Sequence, residues 1–317
     1  MTGCQVMAAA ARFRCNLTGF AEKWQLPVMD DSTLTCFIRQ HIAAQSGQEI
    51  TFVWQSDEST QYGLAYFQRV LALQKQHAEG RKIHNVFQTN GRVLEDDACG
   101  FFHENGWRVD LLLDVPLDLP CEKTAHHQVM QAIETLVKHG VELNVLAQVN
   151  HRNSQQPQRF YRYLRSLGTP NLQFIPVVEC DENGKLSASS VTAEGWGIFL
   201  TSVFDQWVRE DIGRVFVQLF DSTLGIWRGY PSQICAFSET CGQQKRRGLT
   251  ASCRQCSVLR FCQGDCPKHR ISDGKSALCA GYRHFFAHSA PHMKAMRDLL
   301  KQRRSPMELM VMLNQSR

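Results

Sequence analysis

From about residue 49 to residue 220, short β-branched or aromatic runs alternate with longer stretches whose apolar positions have helical spacing. The short runs predict strands over Glu49–Gln55, Ile83–Thr89, Arg108–Asp114, Glu142–Val149, Leu172–Val178 and Arg214–Phe220. Between them, Gly63–His77 carries Leu64, Phe67, Val70 and Leu71 on one helical face, with Gln74 the polar exception. Val129–His139 ends at Gly140 and Phe160–Leu167 at Gly168, and glycine at those places is a helix stop. Trp196–Val208 repeats the pattern through Phe199, Leu200, Val203, Phe204 and Trp207. Strands alternating with helices in this way predict parallel βαβ units. The expected class is α/β, as a partial or complete (β/α) barrel, with a doubly wound open sheet as the alternative. In both, chemistry sits at the carboxyl ends of the strands.

The pattern fails after Gly225. Cysteine, glycine, arginine and lysine dominate up to Cys279, and a segment so poor in apolar residues reads as organised by a metal. Helical spacing resumes over Tyr282–Met312, with Met293, Met296, Leu299 and Leu300 forming an apolar face suited to a core or a docking surface. The division expected is a barrel-like region over residues 1–225 and a metal-binding region over residues 226–317.

Composition adds limits. With 317 residues, 43% hydrophobic and 21% charged, the chain has ample length for a buried core. A formal charge of +5 does not by itself argue for nucleic acid or a membrane as partner. No apolar run approaches the length of a membrane span, and Met1–Ala11 lacks a cationic stretch leading into an apolar one. Cytoplasmic placement is therefore expected, and in a reducing compartment clustered cysteines read as metal ligands rather than disulfides.

Seven of the thirteen cysteines lie between Cys235 and Cys279, at Cys235, Cys241, Cys253, Cys256, Cys262, Cys266 and Cys279. A Cys-x2-Cys turn such as Cys253–Cys256 aims two thiolates at one point, as zinc and iron–sulfur sites both require. Spacing leaves that choice open. The Lys245-Arg246-Arg247 run lacks interleaved aromatics and reads as a solvated basic loop rather than a nucleic-acid surface. His126, His127, His284 and His288 read as surface histidines, and Cys99, Cys121 and Cys180 as isolated thiols.

The string Cys253-Arg-Gln-Cys256, Phe261-Cys262-Gln-Gly264-Asp-Cys266-Pro267-Lys268-His269-Arg270 and Leu278-Cys279-Ala-Gly281-Tyr282 resembles the C-terminal SPASM region of the anaerobic sulfatase-maturating enzymes, of the radical SAM superfamily. The resemblance extends in order through Thr51-Phe-Val-Trp54-Gln55, Phe87-Gln88-Thr89-Asn90-Gly91, Gln173-Phe-Ile-Pro176 and Glu239-Thr-Cys241-Gly242. It implies a partial barrel that binds S-adenosylmethionine and a [4Fe–4S] cluster, followed by a region with auxiliary clusters. It also implies oxidation of a Cys or Ser of a sulfatase polypeptide to formylglycine.

Residue by residue, the resemblance carries one auxiliary cluster on Cys253, Cys256, Cys262 and Cys279, and three ligands of a second on Cys235, Cys241 and Cys266. Cys15 corresponds to the first ligand of the radical SAM cluster, but Gly19 and Glu22 stand where the next two belong. The Gly-Gly-Glu-Pro motif appears as Ser56-Asp57-Glu58-Ser59, so Glu58 alone matches. Asn90 and Asp114 complete the cofactor contacts that the resemblance implies. The segment between Pro120 and His126 and that between Cys241 and Cys253 are both shortened. One [4Fe–4S] cluster is thus expected, with S-adenosylmethionine binding and catalysis impaired. A non-catalytic iron–sulfur-binding accessory or scaffold protein, or a decaying paralogue, is the alternative.

Overall fold

The computed structural model describes residues 29–45, 47–55, 63–91, 94–114, 122–180, 185–232, 234, 248–271 and 274–315. In chain order it contains α1 (Asp31–Ala43), β1 (Glu49–Gln55), α2 (Leu64–His77), β2 (Lys82–Thr89), α3 (Asp96–Glu104), β3 (Arg108–Leu113), α4 (Glu122–Lys138) and β4 (Glu142–Val149). These are followed by α5 (Pro157–Ser166), β5 (Asn171–Pro176), α6 (Ala193–Glu210), β6 (Phe216–Val217) and α7 (Gln218–Trp227). The last part comprises the short helices α8 (Ala251–Arg254) and α9 (Leu259–Cys262), then α10 (Cys279–Lys301) and α11 (Glu308–Gln315).

The sheet order is β1-β2-β3-β4-β5-β6, with β1 and β2, β2 and β3, and β5 and β6 paired in parallel. A doubly wound sheet reverses its strand order at a switch point, and this order never reverses. The winding is that of a (β/α) barrel taken through six strands.

The described residues divide into two compact units, one within Met1–Leu113 and Pro120–Val145, the other within Asp114–Leu119 and Leu146–Arg317. The first is built around aromatic rings. Phe67 sits edge-on to Phe87, Phe102 and Trp107 at 5.5, 5.8 and 5.3 Å between centroids, and all four side chains are buried. A polar pair within it is mutually satisfied. Asn85 and Gln74 exchange amide hydrogen bonds at 2.8 and 2.9 Å, and Trp54 Nε1 donates to Asn85 Oδ1 at 2.8 Å. The polar break in the helical pattern at Gln74 is therefore a paired core amide.

In the second unit α6 is buried along Phe199, Leu200, Val203, Phe204 and Trp207, as its periodicity predicts. Thr192 caps it by accepting from Gly195 N at 3.0 Å. Against α6 runs α10, and the two backbones meet at Gly197 and Gly281. A β-carbon on Gly197 would stand 3.0 Å from Gly281 Cα, and one on Gly281 would stand 2.9 Å from Gly197 N. Gly140 and Gly168 adopt φ of +67° and +73° beyond α4 and α5, as expected of helix stops.

Two sequence expectations need correction. The strand over Arg214–Phe220 is reduced to Phe216–Val217, because Arg214 N and Val215 N both turn back to Asp211 O. From Gln218 onward, Leu219, Phe220 and Thr223 are buried at helical rather than alternating spacing. The single tail helix is two, since Arg303 adopts φ +60° and Pro306 lies between them.

Candidate metal centre

The five described cysteines of the cluster sit on backbone bent by local rules. Thr250 caps α8 by accepting from Cys253 N at 3.2 Å, and Cys256 N closes the Cys-x2-Cys turn on Cys253 O at 3.1 Å. After α9, Gln263, Gly264 and Asp265 take φ of +47°, +77° and +57°, a left-handed run that reverses the chain immediately beyond Cys262. Cys279 then opens α10, its N–H reaching Ser276 O at 3.0 Å.

A buried ionic knot ties these turns together. Asp265, 1% exposed, accepts from His269 Nδ1 at 2.9 Å and from Ser276 Oγ at 2.6 Å through the same oxygen. The loop after Cys262 is thereby fastened to the loop before Cys279. Burial pushes the Asp265 carboxyl up, but the His269 charge and the two hydrogen bonds outweigh it and hold the group below the ordinary carboxylate range. Burial also opposes charge on His269, and Asp265 overcomes it, raising the imidazole.

Cys279 lies within electrostatic reach of Cys253, Cys256 and Cys262, and Cys262 within reach of Cys256. Burial pushes the Cys262 thiol up to about 11, with Asp265, Cys256 and Cys279 adding to the rise. Burial likewise raises Cys279, and Cys253 and Cys256 add to it, while Arg283 and Lys275 work against it. None of the described cysteines is disulfide-bonded. Among the described residues no three His, Cys, Asp or Glu side chains converge as they would about one ion. The four thiols come from three backbone segments, and Cys262 also accepts from the Gly264 backbone; sulfur donors of this kind suit iron–sulfur and zinc groups alike.

Cys266 is buried and acts on His269 and Tyr282. Cys15, Glu58, Cys235 and Cys241 lie outside the described residues. Asn90 follows the end of β2, in a turn where Gly91 N donates to Thr89 Oγ1 at 3.2 Å. That turn is tight, for Gly91 has φ +76° and a β-carbon there would stand 2.7 Å from Leu111 Cδ1. Asp114 follows β3, and burial together with Glu179 raises its carboxyl. Asp221, on α7, touches solvent yet has protein on most sides, and burial raises it to about 7. His288, read from the sequence as a surface histidine, is half-buried and bonds Asp205 Oδ1 at 2.7 Å. The Asp265–His269–Ser276 knot went unread in the sequence. The Asp-x3-His spacing was its one visible sign.

No family model matches the chain. The chain is 31% identical to the serine-type anaerobic sulfatase-maturating enzyme of Bacteroides thetaiotaomicron over 383 aligned positions, covering 96% of this chain and 92% of that protein. The cysteine-type enzyme of Clostridium perfringens is 25% identical, with 84% and 88% covered. Among solved structures, native anSMEcpe with bound AdoMet superposes with a TM-score of 0.71 at 22% identity, covering 86% of this chain and 91% of that one, a likeness of fold. With nearly its whole length aligned at that identity, the chain belongs to the anaerobic sulfatase-maturating enzyme family.

Proposed function

We propose that this family member carries one [4Fe–4S] cluster on Cys253, Cys256, Cys262 and Cys279, within a SPASM-like region spanning residues 226–317, and does not itself cleave S-adenosylmethionine. The observation that carries the reading is the placement of those four thiols, within electrostatic influence, on turns braced by Asp265, His269 and Ser276. Cys235, Cys241 and Cys266 make an incomplete second set. When bound, the cluster would supply electron transfer. The chain's own part is to hold four thiolates in fixed geometry, with Arg283 and Lys275 favouring the charged form of Cys279.

The loss of cofactor cleavage is read from sequence, in a barrel-like region taken as residues 1–225. A cluster that leaves one iron open for the cofactor needs three thiolates, and Gly19 and Glu22 replace two of them beside Cys15. Asn90 and Asp114 keep their places beyond β2 and β3, while Glu58 alone remains of its motif. The partner would be a sulfatase polypeptide, met in the cytoplasm by an accessory protein or scaffold. Among the described residues no helix is long and apolar enough to cross a membrane.

A second reading, a working maturase forming formylglycine, is favoured by the 96% of the chain that aligns with one. Anaerobic reconstitution separates the two. The first reading expects about four irons per chain and no reductive cleavage of S-adenosylmethionine. About eight or more irons with 5′-deoxyadenosine release would establish the second. A colourless protein with one zinc would overturn both.

A further inference from the structure

The small net charge of the chain conceals a strong local excess. Residues 248–301 hold nine Lys and Arg against three Asp and no Glu, so the rest of the chain is close to neutral. Part of that excess is assembled on one aromatic platform. The Arg260 guanidinium lies 4.1 Å from the centre of the Trp227 ring and 4.4 Å from that of Phe261. Lys294 Nζ and the Arg297 guanidinium approach the same indole at 5.4 and 5.7 Å. Phe261, 4% exposed, packs on Trp227 and Phe286 at 5.3 and 5.1 Å, so the platform rests on a buried base.

Arg260 and Lys294 are exposed, and neither pairs with a carboxylate among the described residues. Arg297 shares Asp298, its immediate neighbour, at 2.8 Å. Three cations held on one ring against a single paired acid repel one another, and a bound anion would relieve that repulsion. Along α10, Arg283, Lys294, Arg297 and Lys301 recur at intervals that return to one helical face, extending the positive strip.

We propose that this strip, centred on Trp227, Arg260 and Lys294, is a docking surface for an acidic segment of a partner polypeptide. A guanidinium held over aromatic rings spends none of its N–H donors on them, leaving those donors to receive a carboxylate in bidentate fashion. Lys294 and Arg297 serve the neighbouring acids of the same segment. Nucleic acid fits less well, because Arg260 and Phe261 already occupy the indole that would otherwise stack on a base. The surface is independent of whether the protein cleaves its family's cofactor.

Fluorescence anisotropy on the full-length, cluster-loaded protein tests this, with three labelled probes: a short glutamate-rich peptide, its lysine-rich counterpart and a single-stranded oligonucleotide of the same charge as the acidic peptide. The glutamate-rich peptide should bind best, and its affinity should fall as salt rises. The R260E/K294E double variant should weaken it by about tenfold or more with iron content unchanged. The exposed single variant K294E provides the same test with less risk to folding and should weaken binding in the same direction. Equal binding of the two peptides, unchanged affinity in K294E, or tighter binding of the oligonucleotide would overturn the proposal.

Discussion

In the first compact unit Phe67, Phe87, Phe102 and Trp107 pack ring against ring, and beside them Asn85, Gln74 and the Trp54 indole satisfy one another by hydrogen bonds. Among the described residues between 248 and 279 the buried apolar side chains are three, Phe261, Cys266 and Leu278, and the central group is the charged carboxylate of Asp265. The first region is stabilised by non-directional burial, which tolerates small adjustments of position. The second depends on directional bonds that hold only at one geometry, because an unpaired buried charge is costly. A site that must present four thiolates to a rigid group needs the second kind of order.

The sharpest way to break that contrast is to remove one centre from each side. Trp107→Ala should cost about 3–5 kcal/mol of unfolding free energy in urea, with iron per folded chain unchanged. Asp265→Ala should cost about 3–5 kcal/mol and in addition lower iron per chain, since His269 must give up its charge and, with Ser276, loses the acceptor that fastens the two cluster loops together. Equal iron in the two variants would remove the distinction between the regions. A smaller loss is expected for Gly281→Ala, about 1–3 kcal/mol by thermal unfolding, from forcing a β-carbon between α10 and α6. Gln74→Leu should cost about 1–3 kcal/mol, because the Asn85 amide loses its acceptor inside the core.

The smallest effect concerns pH. Asp221 ionises near 7 when folded and near 3.8 when unfolded, so the folded state holds the extra proton between those values. The stability this contributes is present below about pH 4 and is lost as pH rises towards 7. Because the group touches solvent, the effect is modest. Asp221→Asn should therefore gain on wild type in melting temperature on going from pH 4.5 to pH 8. A constant difference across that range would show that burial does not govern the group.

Much of the architecture was legible beforehand because burial leaves a periodic trace. The strands up to β5 and the helix stops at Gly140 and Gly168 lie close to where apolar spacing and glycine place them. The trace was missing where few side chains are buried. Phe216–Val217 is too short to show alternation, and the helix that follows shares its apolar residues with what looked like strand. In the metal centre, cysteine spacing pointed to the four thiols, whereas nothing local marks Asp265 as buried, since it resembles any turn aspartate. Its partners are only four and eleven residues away, but they meet it through folding that three consecutive left-handed residues make possible.

The crossing of α6 and α10 bears on how this protein can change. At Gly197 and Gly281 the contact is backbone on backbone, and Cys279 stands two residues before it at the head of α10. Most helix contacts drift as their side chains are exchanged, each swap shifting an axis slightly. A joint made mainly of backbone, with the His284 β-carbon beside it, has little to exchange. Outer faces of both helices can therefore diverge freely while the last thiolate keeps its address, leaving a fixed anchorage on which new surfaces can be tried.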